Sequence, residues 1–229
     1  MGARAAPGTC AGCATIRLFG LLLALMIAPA LAAEPAALMD KGDAAYRLGD
    51  LASAMQWYRE AAQAGFAPAQ AKLAFVLDYS GQNEEATAWF AKAAEQGNAE
   101  GQFGLARMLA AGEGIARDPA QALRWMKAAA DQDFPPALSG LALWLEGGLK
   151  GIAADAKGAA RYWHRAAELG DHGAMQRLSV AYRKGELGLG PDEAKAQQWD
   201  VRLRDATAAS RGKSMLMPIS SNPFPRWRR

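Results

Sequence analysis

Few residues in this chain of 229 could do chemistry, and their spacing argues against most of it. The only histidines are His164 and His172. His172 follows Asp171, and an Asp–His pair is half of the relay that activates a nucleophile. Chain neighbours are poorly placed to share that hydrogen bond, and no G-x-S-x-G elbow supplies a serine. Nor do two histidines eight residues apart, without cysteine beside them, make a recognised metal site. Both read as surface histidines, and the expectation is no catalytic residue, no metal and no cofactor.

Glycine runs and paired acids suggest other chemistries. Gly112-Glu113-Gly114 and Gly185-Glu186-Leu187-Gly188-Leu189-Gly190 could pass for phosphate loops. A phosphate loop follows a strand, opens a helix and often carries Lys-Ser or Lys-Thr. These segments follow helical patterns at a repeating interval, so they read as turns. Glu84-Glu85 and Asp192-Glu193 fall in first helical turns, where the macrodipole favours acids.

Cys10 and Cys13 have the CxxC spacing of metal and redox sites, but they precede an apolar run from Leu18 to Ala28. Pro29-Ala30-Leu31-Ala32 then ends on small residues. Basic, apolar and small residues in that order read as a secretory signal peptide over residues 1–32. The run is well short of the roughly 20 apolar residues that span a bilayer. A cut after Ala32 would remove both cysteines and leave a periplasmic or secreted protein without disulfides.

The elements that must position any site are helices. Alanine occurs 54 times, against five Ile, three Val and four Thr, a composition that favours helix and disfavours sheet. Two markers then recur in phase. Trp57, Trp89, Trp125 and Tyr162 each precede an alanine pair, with Trp199 fifth, at steps of 32, 36, 37 and 37. Leu73-Ala74, Leu105-Ala106, Leu141-Ala142 and Leu178-Ser179 step by 32, 36 and 37. Such a period is the signature of a helical repeat array. In the third unit Ala99 to Ala111 reads as one helix and Ala120 to Asp131 as the next, with Asp118-Pro119 as cap and first residue. The small residues let backbones approach, the aromatic marker supplies the large apolar contact, and Gly65, Gly97 and Gly170 close the second helices. Asp133 takes the equivalent place in the third unit. Polar Lys41 and the run Asp200 to Arg204 fit terminal units, which lack a neighbour on one side.

The pattern Leu-Ala-x-x-Leu-x-x-Gly-x-Gly-Ile-x-x-Asp, then Ala-x-x-Trp-x-x-x-Ala-Ala, best seen from Leu105 to Asp133, is similar to the Sel1-like repeat, a relative of the tetratricopeptide repeat. The expected fold is all-α: a right-handed α-solenoid over residues 33–208 with five units, 35–66, 67–98, 99–134, 135–171 and 172–208. The resemblance implies a non-enzymatic scaffold that binds a protein or peptide along the face lined by the first helices. Helical phase points Asp43, Tyr46 and Arg47 inward from the first unit, then Phe75, Asp78 and Tyr79, then Phe103 and Arg107. Leu143, Glu146, Gln176, Val180 and Arg183 follow from the last two. Two alternatives stay open: a repeat-fold hydrolase or β-lactam-binding protein, and an envelope-assembly adaptor using the tail. Cysteine-stapled relatives of the first kind differ from this chain, whose cysteines precede the apolar run.

Charge divides unevenly along the chain. Residues 33–201 hold 17 basic and 22 acidic side chains, whereas 202–229 hold seven basic and one acidic. Residues 209–229 read as a flexible basic tail ending Pro225-Arg226-Trp227-Arg228-Arg229, without helical period. Its expected contacts are solvent, or membrane and cell-wall anions, with no nucleic acid. The boundary at Ala30-Leu31-Ala32 predicts a mature N-terminus at Ala33. N-terminal sequencing of protein from a periplasmic fraction should read Ala33-Glu34-Pro35; an intact Met1 on soluble cytoplasmic protein would refute export.

Overall fold

The structure is a computed structural model that describes residue 2 and residues 34–148 and 151–216. The expected signal peptide, both cysteines and the last part of the tail lie outside these residues. The described chain from Pro35 on is an α-solenoid of helices α1 (Pro35–Arg47), α2 (Leu51–Gln63), α3 (Ala67–Tyr79), α4 (Asn83–Glu95), α5 (Ala99–Ala111), α6 (Pro119–Asp131), α7 (Pro135–Gly147), α8 (Ala156–Glu168), α9 (His172–Lys184) and α10 (Glu193–Leu216). Each odd helix packs on the even helix after it, and each even helix on the next odd one. Because α3 also reaches α5 across α4, the odd helices form an inner layer and the even helices an outer one. Among the described residues no helix is long and apolar enough to cross a membrane.

Helix ends follow from single residues. Asp50, Asn98, Asp118, Asp155 and Asp171 each accept a hydrogen bond from the backbone N–H three residues on, which satisfies a donor that the first turn leaves unpaired. At the other end Gly97 has φ 81°, and Asp133 takes φ 59° at the matching place in the third unit. Aspartate tolerates that left-handed conformation better than most residues with a Cβ.

Between helices the rule is a small residue facing a large one. A Cβ on Gly42 would stand 2.6 Å from the ring of Tyr58, and one on Gly104 would run into Phe90. Gly140 also faces Met126, but there a Cβ would stand at an ordinary contact distance of 3.5 Å. This corrects the reading of the aromatic marker. Trp57, Trp89, Trp125 and Tyr162 are half-buried, and the deepest contacts come from the residues after them. Tyr58, Phe90, Met126 and Trp163 are 2%, 0%, 1% and 5% exposed. One step along a helix turns about 100°, enough to exchange the flank of the interface for its centre.

The glycine-containing turns bind one unit to the one before. Gly114 lies against the carbonyl of Asn83, so closely that any side chain there would strike it, and Thr87 donates its hydroxyl to the Glu113 carbonyl at 3.2 Å. Gly151 sits on Pro119 and Gly188 on Lys157. In all three cases a turn between two helices covers the first turn of the preceding even helix. These are structural turns.

The C-terminal helix departs from expectation. α10 continues through Ser210 to Leu216 where a tail was expected from residue 209. Gly212 is the only residue from Ala208 to Leu216 that strongly opposes helix, and the first proline comes at Pro218. The solenoid end is polar as expected. Asp200 replaces the large buried residue of earlier units, accepting a hydrogen bond from Ser179 at 2.6 Å and one from Arg183 at 2.7 Å.

The Leu-small markers are core. Leu141 is 0% and Leu105 5% exposed, whereas Lys41 is exposed with its ammonium 4.7 Å from the centre of the Trp57 ring. Leu141→Ala and Leu105→Ala should each cost roughly 2–5 kcal/mol. Lys41→Ala, losing an exposed cation–π contact, should cost about 1 kcal/mol or less. Denaturant midpoints of the three variants test the difference.

Candidate binding face

The inner layer brings the named residues onto one side but leaves few of them available. Phe75 is 8% exposed and meets Phe90 edge-on with centroids 4.8 Å apart. Phe103 is 7% exposed and packs on Phe134 at 5.7 Å. Phe75 seals the contact between the two helices of its own unit, and Phe103 seals the approach to α7. Asp43 accepts the Tyr58 hydroxyl at 2.6 Å and lies 3.7 Å from the Lys72 ammonium. Asp78 and Arg107 form an ion pair at 3.5 Å, with the guanidinium over the Phe103 ring. Glu146 takes the Trp163 indole N–H at 3.0 Å and the Arg177 guanidinium. Arg183 turns to its own partner helix, joining Asp200 and Glu193 on α10.

These pairs form a ladder. Asp43–Lys72 ties α1 to α3, Asp78–Arg107 ties α3 to α5, and Glu146–Arg177 ties α7 to α9. Arg177 reaches Glu186 as well, at 2.8 Å. At the step from α7 to α9 the Ser139 hydroxyl also donates to Asp171 at 2.7 Å. A second polar device pairs an exposed glutamine with a buried one: Gln96 donates to Gln70 at 2.7 Å, and Gln132 donates to Gln102 at 2.8 Å. The fourth unit puts Leu138 where these units have Gln70 and Gln102. Sequence reading did not single out Lys72, Arg177 or the glutamines. Their signal was available only as helix positions repeated one unit apart.

What remains accessible is smaller and less charged. Tyr79 is 71% and Leu143 58% exposed, unusual for large apolar side chains in the inner layer. Arg47 and Gln176 are exposed, and Tyr46 and Val180 half-buried. Burial, then the neighbouring Tyr79 phenol, pushes the Tyr46 hydroxyl above its ordinary value and keeps it neutral. Glu100, half-buried at the start of α5, is also raised by burial, with Lys72 opposing and Asp43 reinforcing the shift. The available face is therefore a nearly neutral strip of aromatic, aliphatic and amide groups.

His164 is half-buried, with Nε2 3.0 Å from the Tyr182 hydroxyl and its ring edge-on to Tyr182 and Trp199. Burial holds its pKa below the ordinary value, Glu168 opposes and Lys195 adds to the depression. His172 is exposed in the first turn of α9, while Asp171 spends its oxygens on the Ala174 N–H and on Ser139. Among the described residues no three His, Cys, Asp or Glu side chains gather as a metal site would need.

Comparison with known proteins agrees with this architecture. The Sel1 repeat matches residues 46–66, 67–98, 99–134, 135–171 and 172–199. The uncharacterized protein NMB1327 of Neisseria meningitidis serogroup B is 35% identical over 166 residues, covering 69% of this chain and 35% of that protein. The chain thus spans about a third of that relative's length. A Sel1 repeat protein from Oxalobacter formigenes has a TM-score of 0.65 at 26% identity, over 91% of this chain and 90% of that one. A protective antigen of uropathogenic Escherichia coli, c5321, has a TM-score of 0.65 at 25% identity, over 83% of this chain and 43% of its own. Such repeat proteins are generally protein-interaction scaffolds, and the fold is typically non-enzymatic.

The ladder has a pH signature. Burial works against the Glu146 charge, but hydrogen bonds from Arg177 and Trp163, with the Arg177 charge, outweigh it and hold the carboxyl below its usual 4.5. A depressed folded-state pKa means stability present above about that value and lost as pH falls through the lower, folded one. Glu146→Gln should cost about 1–2 kcal/mol at neutral pH. Its thermal midpoint should approach that of the wild type as pH falls below 4.5. Midpoints that stay equally far apart at acid and neutral pH would exclude the pair as the cause.

Proposed function

Because the chain belongs to the Sel1 repeat family, we propose that it is an exported, non-enzymatic scaffold of the bacterial cell envelope that holds a protein or peptide along its inner layer. The observation that carries this reading is the exposure of Tyr79 and Leu143, two large apolar side chains left in water on the inner layer. An aromatic ring and a branched aliphatic side chain left in water gain free energy when a partner covers them, and aromatics dominate interaction hot spots. The ion-pair ladder takes up most of the inner-layer charge and leaves Arg47 exposed at one end of the strip, so a largely uncharged, partly apolar segment is the best match. The basic, apolar and small residues before Ala33 support export. A protective antigen among the structural relatives is in keeping with an envelope location.

Arg107 is a poor probe of this face, because it pairs with Asp78 and covers Phe103, so its removal loosens the fold. Tyr79→Ala with Leu143→Ala is the cleaner test. Exposed changes usually move stability by no more than about 0.5 kcal/mol, while losing a hot spot typically costs about 2 kcal/mol or more of binding. A photocrosslinker at Gln176 should capture a partner from the envelope fraction, and the double variant should lose the adduct at an unchanged melting temperature. Full capture by the double variant would remove the inner layer from consideration.

A further inference from the structure

The outer layer differs from the inner one in how it uses charge. Several acids and bases of the inner layer are bridged, and in the outer layer Arg59 pairs with Glu85 and Arg165 with Asp133. Arg124 and Lys127 on α6 and Lys157 and Arg161 on α8, by contrast, are exposed, and no acid is bridged to them among the described residues. They share the outward stripe of their helices, opposite buried Ala122 and Met126 on α6 and Ala159 and Trp163 on α8. The acids of that stripe, Asp131 and Glu168, are confined to the last residues of the two helices. The matching positions of α4 are Glu84, Ala88, Ala91 and Glu95, with Lys92 exposed beside them and its ammonium 3.9 Å from the centre of the Trp89 ring. Beyond α8, α10 continues the basic trend with Arg202 and Arg204 against Asp205.

The same region presents apolar groups in water. Leu169, at the end of α8, is 48% exposed and Val201, on the outward side of α10, is 44% exposed. Trp125 and Tyr162, half-buried, flank the cations. Cations beside half-exposed indole and phenol rings and isolated aliphatic groups match a lipid headgroup layer, where anionic phosphate meets the edge of the hydrocarbon. Nucleic acid would use the arginines and rings but offers little to Leu169 and Val201. Parallel helices one layer deep also give a broad face with several cations side by side, suited to a planar array of headgroups.

We propose that the outward faces of α6 and α8, continued by α10, dock against an anionic lipid bilayer. The inner layer would then face away from the membrane and remain open to a protein partner. Polybasic attraction of this kind gives roughly fivefold in affinity for each cation near the surface, and it collapses when salt shortens the Debye length.

The test is co-sedimentation of the full chain with phosphatidylcholine vesicles and with phosphatidylcholine–phosphatidylglycerol vesicles. Any binding by the apolar run Leu18 to Ala28 affects both vesicle types, so the readout is the excess on anionic ones. That excess should vanish at about 1 M salt. It should fall at least about a hundredfold when Arg124, Lys127, Lys157 and Arg161 are all changed to Gln. Lys184→Gln, on the exposed end of α9, should leave it unchanged, and circular dichroism should show all variants folded. Three results would overturn the proposal. One is no excess on anionic vesicles. Another is an excess kept by the quadruple variant but lost on deleting residues 217–229, which moves the site to the tail. The third is a quadruple variant that keeps its vesicle excess and loses only binding to a single-stranded oligonucleotide.

Discussion

The close approach of small residues on one helix to a large residue on the next sets the geometry of this solenoid. Gly42 against Tyr58, Gly104 against Phe90 and Gly140 against Met126 leave no room for a larger side chain at two of the three sites. Backbones brought this near fix the angle between successive helices, because the large side chain fills the space that the small one vacates. The alanine-rich composition follows directly. A chain stacked from thin helices needs many methyl-sized contacts and few bulky ones, and Ala61, Ala93, Ala129 and Ala166 are all 0% exposed in the same place of successive even helices.

Once the layers are fixed, polar groups settle register. A repeat array is quasi-one-dimensional, so each unit must recognise the next through local devices. Here the devices differ by layer. Inner helices use the acid–base rungs, outer helices are covered at their first turns by glycine-containing turns, and the half-buried glutamine pairs tie the second and third units internally. Ion pairs that are partly exposed contribute modestly one at a time. Their stronger effect is on specificity, since a slipped unit would set Asp78 or Glu146 among groups of the wrong sign.

Much of this architecture was legible in the residues. The two in-phase markers located the helix pairs, and the Asp118-Pro119 start and the left-handed place of Asp133 could be read from local chemistry alone. The depth of individual side chains could not. Trp57 and Tyr58 are neighbours in sequence, and only the tertiary packing decides which ring points at Gly42. The inner-face residues show the same limit. Helical phase put Phe75, Asp78, Phe103, Arg107 and Glu146 on the odd-helix side, yet each is taken up by a partner 15 to 31 residues away in the chain. Phase reports direction, while availability depends on contacts between units. The extension of α10 to Leu216 was missed because lost amphipathic period was read as lost helix; a helix with no apolar face to bury has no period to show.

The two layers therefore divide what a scaffold must do. A face that recruits a partner cannot also be held in register by that partner, so the inner layer settles its own charges and exposes uncharged groups such as Tyr79 and Leu143. Arg124, Lys127 and Arg161 in the outer layer have no such structural role, because the cores beneath are closed by Met126 and Trp163, and Lys157 meets the Gly188 turn only through its aliphatic stem. Four unbridged cations in a stripe repel one another at close range, a cost that folding alone gives no reason to keep. Their placement side by side, where the matching positions of α4 are Glu84, Ala88, Ala91 and Glu95, is what distinguishes a surface shaped for an anionic neighbour from one that is merely solvated.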